Sequence, residues 1–106
     1  MTSSDFGTLL QEQIAKVGDL PVVLWIDDQP MSVVSAEDDG GELFIHTISK
    51  DSTKGLLASR LMAIIDEIGY ELEDIRAAYI LDGDKDEIYV MDVSADETSH
   101  TIDLLT

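Results

Sequence analysis

Residues 56–69 read LLASRLMAIIDEIG, and this stretch decides the fold because its apolar side chains recur with a helical period. Spacings of three and four residues predict an amphipathic helix with one buried face. The residues of that face are Leu56, Leu57, Leu61, Ile64, Ile65 and Ile68. Asp51 or Ser52 would begin this helix and Gly69 would end it. Such a helix needs a second layer to pack on, and the flanking segments predict a sheet.

Upstream of this helix, the sequence predicts a first helix followed by three strands. Ser3 and Ser4 are candidate N-caps, and apolar residues then recur at helical spacing as far as Gly18. Residues 20–26, LPVVLWI, are almost wholly apolar, which is typical of a strand buried on both faces. Two further strands, 31–35 and 42–48, would be joined across a turn rich in Asp and Gly.

Downstream of the helix predicted in residues 56–69, residues 75–81 and 87–93 are rich in strand-forming residues and flank the sequence DGDKD. Asp-Gly between two such segments is a strong hairpin signal. The stretch 71–79 also fits helical spacing, so both a strand and an extension of the second helix remain open there. Residues 102–105 predict a last edge strand or a tail docked on the core.

The predicted fold is therefore a small single α+β domain over residues 1–106, with an antiparallel sheet packed by two helices. The element order is α-β-β-β-α-β-β, with an optional final strand. A chain of 106 residues has enough material for one core but not for two.

The net charge restricts the partners that the chain can have. It carries 23 acidic and 6 basic residues, a formal charge of −17, and residues 66–106 hold more of the excess than residues 1–65. Binding to nucleic acid or anionic lipid needs Lys and Arg, so we expect a basic partner and neither direct nucleic-acid binding nor membrane binding. The chain has no cysteine, no signal-peptide pattern and no membrane-length apolar run, and we expect it in the cytoplasm.

Two acidic motifs suggest metal binding but depart from the patterns that such sites need. Residues 23–28, VLWIDD, resemble the first strand and acidic pair of response-regulator receiver domains, whose carboxylates bind magnesium beside a phosphorylated aspartate. The later aspartate and lysine of that family have no counterpart, so we interpret Asp27 and Asp28 as a β-turn. The alternating aspartates of residues 82–86 match the start of a calcium loop, but Glu87 and Val93 occupy positions that need Gly and Glu. We predict no metal site.

No arrangement of residues indicates catalysis. His46 and His100 lack the spacing of a metal-ligand pair, and we interpret both as structural or solvated. The sequence contains no nucleophile elbow, P-loop or dinucleotide-binding glycine motif. We therefore expect no enzymatic activity and no cofactor.

The leading hypothesis is an acidic decoy that occupies the nucleic-acid-binding surface of a basic protein. Carboxylates two apart on a strand are separated by roughly 6.5–7 Å, close to the distance between neighbouring phosphates of a nucleic-acid strand. Small phage-encoded inhibitors of host defence are similar in size, acidity and lack of catalytic residues. The predicted contact residues are Asp66, Glu67, Glu71, Glu73, Asp74, Asp82, Asp84, Asp86, Glu87 and Asp92.

Two other interpretations remain open. The first is an escort or immunity protein that binds one polypeptide through apolar grooves and strand edges. The element order is similar to that of acidic bacterial secretion chaperones, which implies a homodimer. Alternatively, the acidity belongs to an organism whose proteins are generally acidic and has no bearing on recognition. Acidic residues scattered evenly over the surface would favour this last interpretation.

Overall fold

The computed structural model describes residues 1–49 and 55–106, which contain two α-helices and a seven-stranded mixed sheet. The helices are α1 (Ser3–Val17) and α2 (Ala58–Ile68). The strands are β1 (Val22–Ile26), β2 (Gln29–Asp39), β3 (Glu42–Ser49), β4 (Ile75–Leu81), β5 (Asp84–Tyr89), β6 (Asp92–Asp96) and β7 (Thr101–Leu105). The predicted α+β class and element order are confirmed.

The N-cap of helix α1 lies one residue before the predicted caps. Thr2 is the N-cap: its hydroxyl accepts the Asp5 N–H at 3.1 Å, and the Asp5 carboxylate accepts the Thr2 N–H at 3.2 Å. Gly18 ends the helix as predicted, donating its N–H to Ile14 O at 2.8 Å with a φ of 95°. Ser3 therefore lies inside the helix, where it is fully buried.

The strand order is β5-β4-β3-β2-β1-β7-β6. Four of the pairings between these strands are antiparallel, as predicted, whereas β1 runs parallel to β7 and β3 runs parallel to β4. The β3–β4 pairing is parallel because α2 connects the two strands as a crossover. The terminal strand β7 lies between β1 and β6, so the prediction that it forms an edge is wrong.

The sheet is curled, because its two edge strands are adjacent in the chain. Only Val90 and Met91 separate β5 from β6, and three residue steps span at most about 11 Å. In a flat sheet of seven strands the edges would lie about 29 Å apart. Val90 donates its N–H to Ile75 O on one side, and Met91 donates to Leu105 O on the other, both at 2.8 Å. Strands β5 and β6 thus form one strand, bent at a corner, that joins both edges.

Both helices pack on one side of this sheet and share its core. Phe6, Leu10, Leu61 and Ile65 are fully buried against the apolar side chains of the strands. From the sheet, the main contributors are Val22, Leu24, Val33, Leu43, Ile45, Ile75, Ile102 and Leu104. The opposite face of the sheet, called the open face below, has no helix on it among the described residues.

Several element boundaries differ from those predicted, and the single strand expected over 87–93 is replaced by β5 and β6. Strand β2 runs through Asp39 rather than ending at Ser35, and it carries an irregularity between Val33 and Ser35. The open choice for residues 71–79 is settled as a loop followed by β4. Helix α2 begins at Ala58, later than predicted, and the caps expected at positions 51 and 52 lie outside the described residues. Neither described helix has the length and apolar content needed to cross a membrane.

Candidate partner-binding surface

All ten carboxylates predicted to contact a partner are exposed, and the structure divides them into two groups. The edge group follows the bent β5–β6 strand and comprises Asp82, Asp84, Asp86, Glu87 and Asp92. The loop group follows the second half of α2 and comprises Asp66, Glu67, Glu71, Glu73 and Asp74. The two groups approach each other at the corner, where Val90 bonds the residue that follows Asp74.

The edge group has the spacing that the sequence predicts. Asp84 and Asp86 pair with Leu81 and Tyr79 of β4 and lie on the same face of β5. Their spacing of two residues corresponds to roughly 6.5–7 Å between side chains. Glu87 lies on the opposite face, and Asp82 lies at the hairpin tip with a φ of 53°. This end of the strand therefore presents carboxylates in three directions.

Two aspartates of the edge group also bond the backbone of their own strand. Asp86 Oδ1 accepts the N–H of Glu87, and Asp92 Oδ1 accepts the N–H of Val93, both at 2.8 Å. Because β5 and β6 are the terminal strands of the order, these amides have no strand partner beside them in the described part of the chain. Each carboxylate satisfies a backbone donor that would otherwise face solvent.

The loop group is partly used in local packing. The Asp66 carboxylate accepts a hydrogen bond from the Tyr70 hydroxyl, and this bond, reinforced by desolvation, raises the pKa of Tyr70 above its ordinary value. Asp74 lies 3.8 Å from the terminal ammonium group of Met1. The Glu73 backbone N–H donates to Gly41 O at 3.0 Å, which joins the loop to the β2–β3 hairpin.

Arg76 neutralises one carboxylate of the edge group. Its guanidinium lies 2.7 Å from Asp39 and 3.4 Å from Glu87, and it stacks over the Phe44 ring at 4.8 Å. Among the residues that the structure describes, Glu87 and Asp74 are the predicted contact residues with an ion pair. Arg76 therefore pairs with Asp39 and Glu87. The other four carboxylates of the edge group have no ion pair in the described part of the chain.

Carboxylates of this surface also affect two tyrosines. The pKa of Tyr79 is raised by desolvation first and then by Asp86, whose Oδ2 lies 3.5 Å from the hydroxyl. The pKa of Tyr89 is raised chiefly by the negative charge of Glu42. Both shifts are in the direction expected when negative charge disfavours phenolate.

Sequence reasoning missed part of this surface. Glu42 and Asp39 lie at the β2–β3 hairpin tip, which the sequence presents as an ordinary acidic turn. Ile48, Ile80 and Tyr89 lie on the open face and are 38%, 56% and 47% exposed. The strand pattern gives no signal for these three, because it does not show which face of the sheet the helices cover.

The metal-binding and catalytic candidates lie in turns and strands of the sheet. No group of three or more His, Asp or Glu side chains within residues 1–49 and 55–106 is arranged to hold a metal ion. Asp27 and Asp28 form the two-residue turn between β1 and β2. His46 Nε2 lies 2.8 Å from Glu37 Oε1, and His100 is exposed in the turn before β7.

Comparison of the chain with protein-family models, curated proteins and solved structures finds no match.

Proposed function

We propose that the protein is an acidic binding protein, without enzymatic activity, that occupies the basic surface of a nucleic-acid-binding partner. The observation that carries this proposal is the edge group: five exposed carboxylates follow one bent strand, and one of them has a cationic partner among the described residues. Patterned negative charge of this kind is complementary to a groove whose Lys and Arg side chains bind phosphates.

The proposed action needs no turnover. A charge of −17 attracts a cationic partner over a long range and speeds association. Contacts between carboxylates and arginines then set the lifetime of the complex. A phage-encoded inhibitor of a host defence protein, acting in the cytoplasm, would have the properties proposed for this chain.

The test is capture of partners from a lysate of the source organism, at about 0.05 M and about 0.5 M NaCl. We expect captured proteins to bind nucleic acid, to elute at high salt and to be displaced by added duplex DNA or RNA. Captured proteins that stay bound to the chain at high salt and are not displaced by nucleic acid would overturn the proposal.

A matched pair of variants separates patterned charge from net charge. Asp84→Lys with Asp86→Lys reverses two charges in the edge group, whereas Glu12→Lys with Glu97→Lys reverses two exposed charges outside both carboxylate groups. We expect the edge variant to lose capture and the control variant to retain most of it. Equal loss in both would show that only net charge matters, which would support the acidic-proteome interpretation.

The exposed side chains Ile48 and Ile80 favour a second candidate, a homodimeric escort that binds a polypeptide through apolar contacts. Continuing the parallel register of His46 with Ala78 places these two isoleucines side by side on the open face. For this candidate we expect a dimer by light scattering, and capture that persists at about 0.5 M NaCl.

A further inference from the structure

Within residues 1–49 and 55–106, the backbone of β5 is paired on one side only, because this strand ends the strand order. In an antiparallel pair, successive residues direct their backbone groups to opposite edges. The Glu87 N–H bonds the Asp86 side chain instead of β4, so Glu87 directs its backbone outward. By alternation, Lys85 and Tyr89 do the same. The edge therefore offers the donors and acceptors of three residues to an incoming strand.

The side chains of this edge select what can pair with it. An incoming strand must displace Asp86 from the Glu87 amide, and a neutral strand offers that carboxylate nothing in return. A strand that carries Lys or Arg opposite Asp84 and Asp86 offers an ion pair to each displaced carboxylate. Lys85 does not compete for them, because its side chain lies on the other face, across from Ile80.

We propose that the β5 edge accepts an extended segment of the partner as an additional strand, with Lys or Arg at alternate positions facing Asp84 and Asp86. This inference rests on the proposed function and identifies the partner element as an extended basic segment. Main-chain bonds along the edge supply affinity, and the alternating cations supply specificity. Tyr89, half exposed on the other face, offers an apolar contact to the residues between the cations.

A second copy of this chain does not fit the same edge. Two β5 edges brought together would oppose the carboxylates of Asp84, Asp86 and Glu87 with those of the second copy, and like charges across paired strands are destabilising. Each chain also carries a charge of −17. The edge is thus protected against self-association and remains open to a cationic strand.

The experiment uses the whole chain and a fluorescein-labelled peptide, acetyl-Lys-Val-Lys-Val-Lys-Val-Lys-amide, at about 0.05 M NaCl. Two analogues keep its charge: one is N-methylated at the lysine amides and the other at the valine amides. Only one edge of a peptide strand pairs with β5. One analogue should therefore bind about tenfold or more weakly, since each lost backbone bond weakens the complex, while the other binds like the parent.

Two protein variants complete the design. Asp84→Asn with Asp86→Asn should weaken parent-peptide binding about tenfold or more, whereas Glu12→Gln with Glu97→Gln, which removes the same charge at exposed positions outside both carboxylate groups, should not. Binding should also slow hydrogen exchange at the amides of Lys85, Glu87 and Tyr89. A version of the parent peptide with Ser in place of each Lys should not bind.

The outcomes separate the inference from the function on which it rests. If both methylated analogues bind as tightly as the parent, strand addition is excluded and the charge-based function stands. If the parent peptide fails to bind while partner capture is salt-sensitive and competed by nucleic acid, only the strand inference fails. If peptide binding and competed capture are both absent, the proposed function itself fails.

Discussion

At the scale of single residues, the three two-residue hairpin turns (β1–β2, β2–β3 and β4–β5) show where the chain departs from favourable turn chemistry. Each turn has two central residues with positive φ, the type I′ geometry that suits Asn-Gly or Gly-Gly. Gly40-Gly41 and Asp82-Gly83 fit this requirement, whereas the β1–β2 turn uses Asp27 and Asp28, with φ values of 47° and 64°. An L-residue other than glycine is strained in this region.

Replacing Asp27-Asp28 by Asn-Gly should therefore stabilise the fold. We expect the free energy of unfolding to rise by about 1 kcal/mol, because Gly removes the strain at the second position and Asn tolerates the first. Urea denaturation measures the change. The control is Glu12→Gln with Glu67→Gln, which also removes two negative charges but does not alter a turn. An equal gain in the control would assign the effect to relief of charge repulsion.

At the scale of elements, the sequence predicts where most helices and strands lie. It does not predict where tertiary contacts make each of them begin and end. Strand β4 begins and ends at the predicted residues. Helix α2 starts after Leu57, since Leu56 is held in the sheet: it donates to Val33 O at 2.8 Å and accepts from Val22 N–H at 2.9 Å. Leucine spacing alone cannot reveal this, because packing overrides helix propensity.

The corner between β5 and β6 is visible in the sequence as a break in the alternation of apolar residues. The prediction of one strand over 87–93 did not take this break into account. Ile88 and Val90 point to the core at the strand period of two, but the next inward residue is Val93. This change in phase by one residue moves the side chains to the other face. It marks the bend that joins the edges of the sheet and brings Asp92 into the edge group.

The docking of α1 depends on a residue that the sequence presents as a cap. The Ser3 hydroxyl accepts the Leu72 N–H at 3.1 Å and donates to Gly69 O at 3.4 Å, and the side chain is fully buried. We expect Ser3→Ala to lower the free energy of unfolding by about 1–3 kcal/mol, since it leaves a buried amide unsatisfied. Urea denaturation of Ser3→Ala and of exposed Ser4→Ala tests this. Equal stabilities of the two variants would contradict it.

At the scale of the whole molecule, the site could be predicted only in part. Charge and turn chemistry identified ten carboxylates, and all are exposed. Their division into two groups depends on the curl of the sheet, which is a property of long-range pairing. Likewise, the contribution of Asp39 and Glu42 depends on Gly41 meeting Glu73 across the fold. Neighbourhoods of this kind are set by topology, and one strand pattern is compatible with several topologies.

The net charge of −17 gives the whole molecule two opposite responses to salt. Inside the folded chain the excess carboxylates repel one another, so screening should stabilise the fold. Between the chain and a basic partner the same carboxylates attract, so screening should weaken the complex.

We therefore expect NaCl between about 0.02 M and about 0.5 M to raise the free energy of unfolding by about 1 kcal/mol, a Tm increase of roughly 4–8 °C, while partner binding declines. Thermal unfolding followed by circular dichroism, with sucrose at equal osmolality as the control, measures the first response. A Tm that does not rise with NaCl would mean that repulsion within the fold is already small, and the loss of binding at high salt would then be the only response to charge.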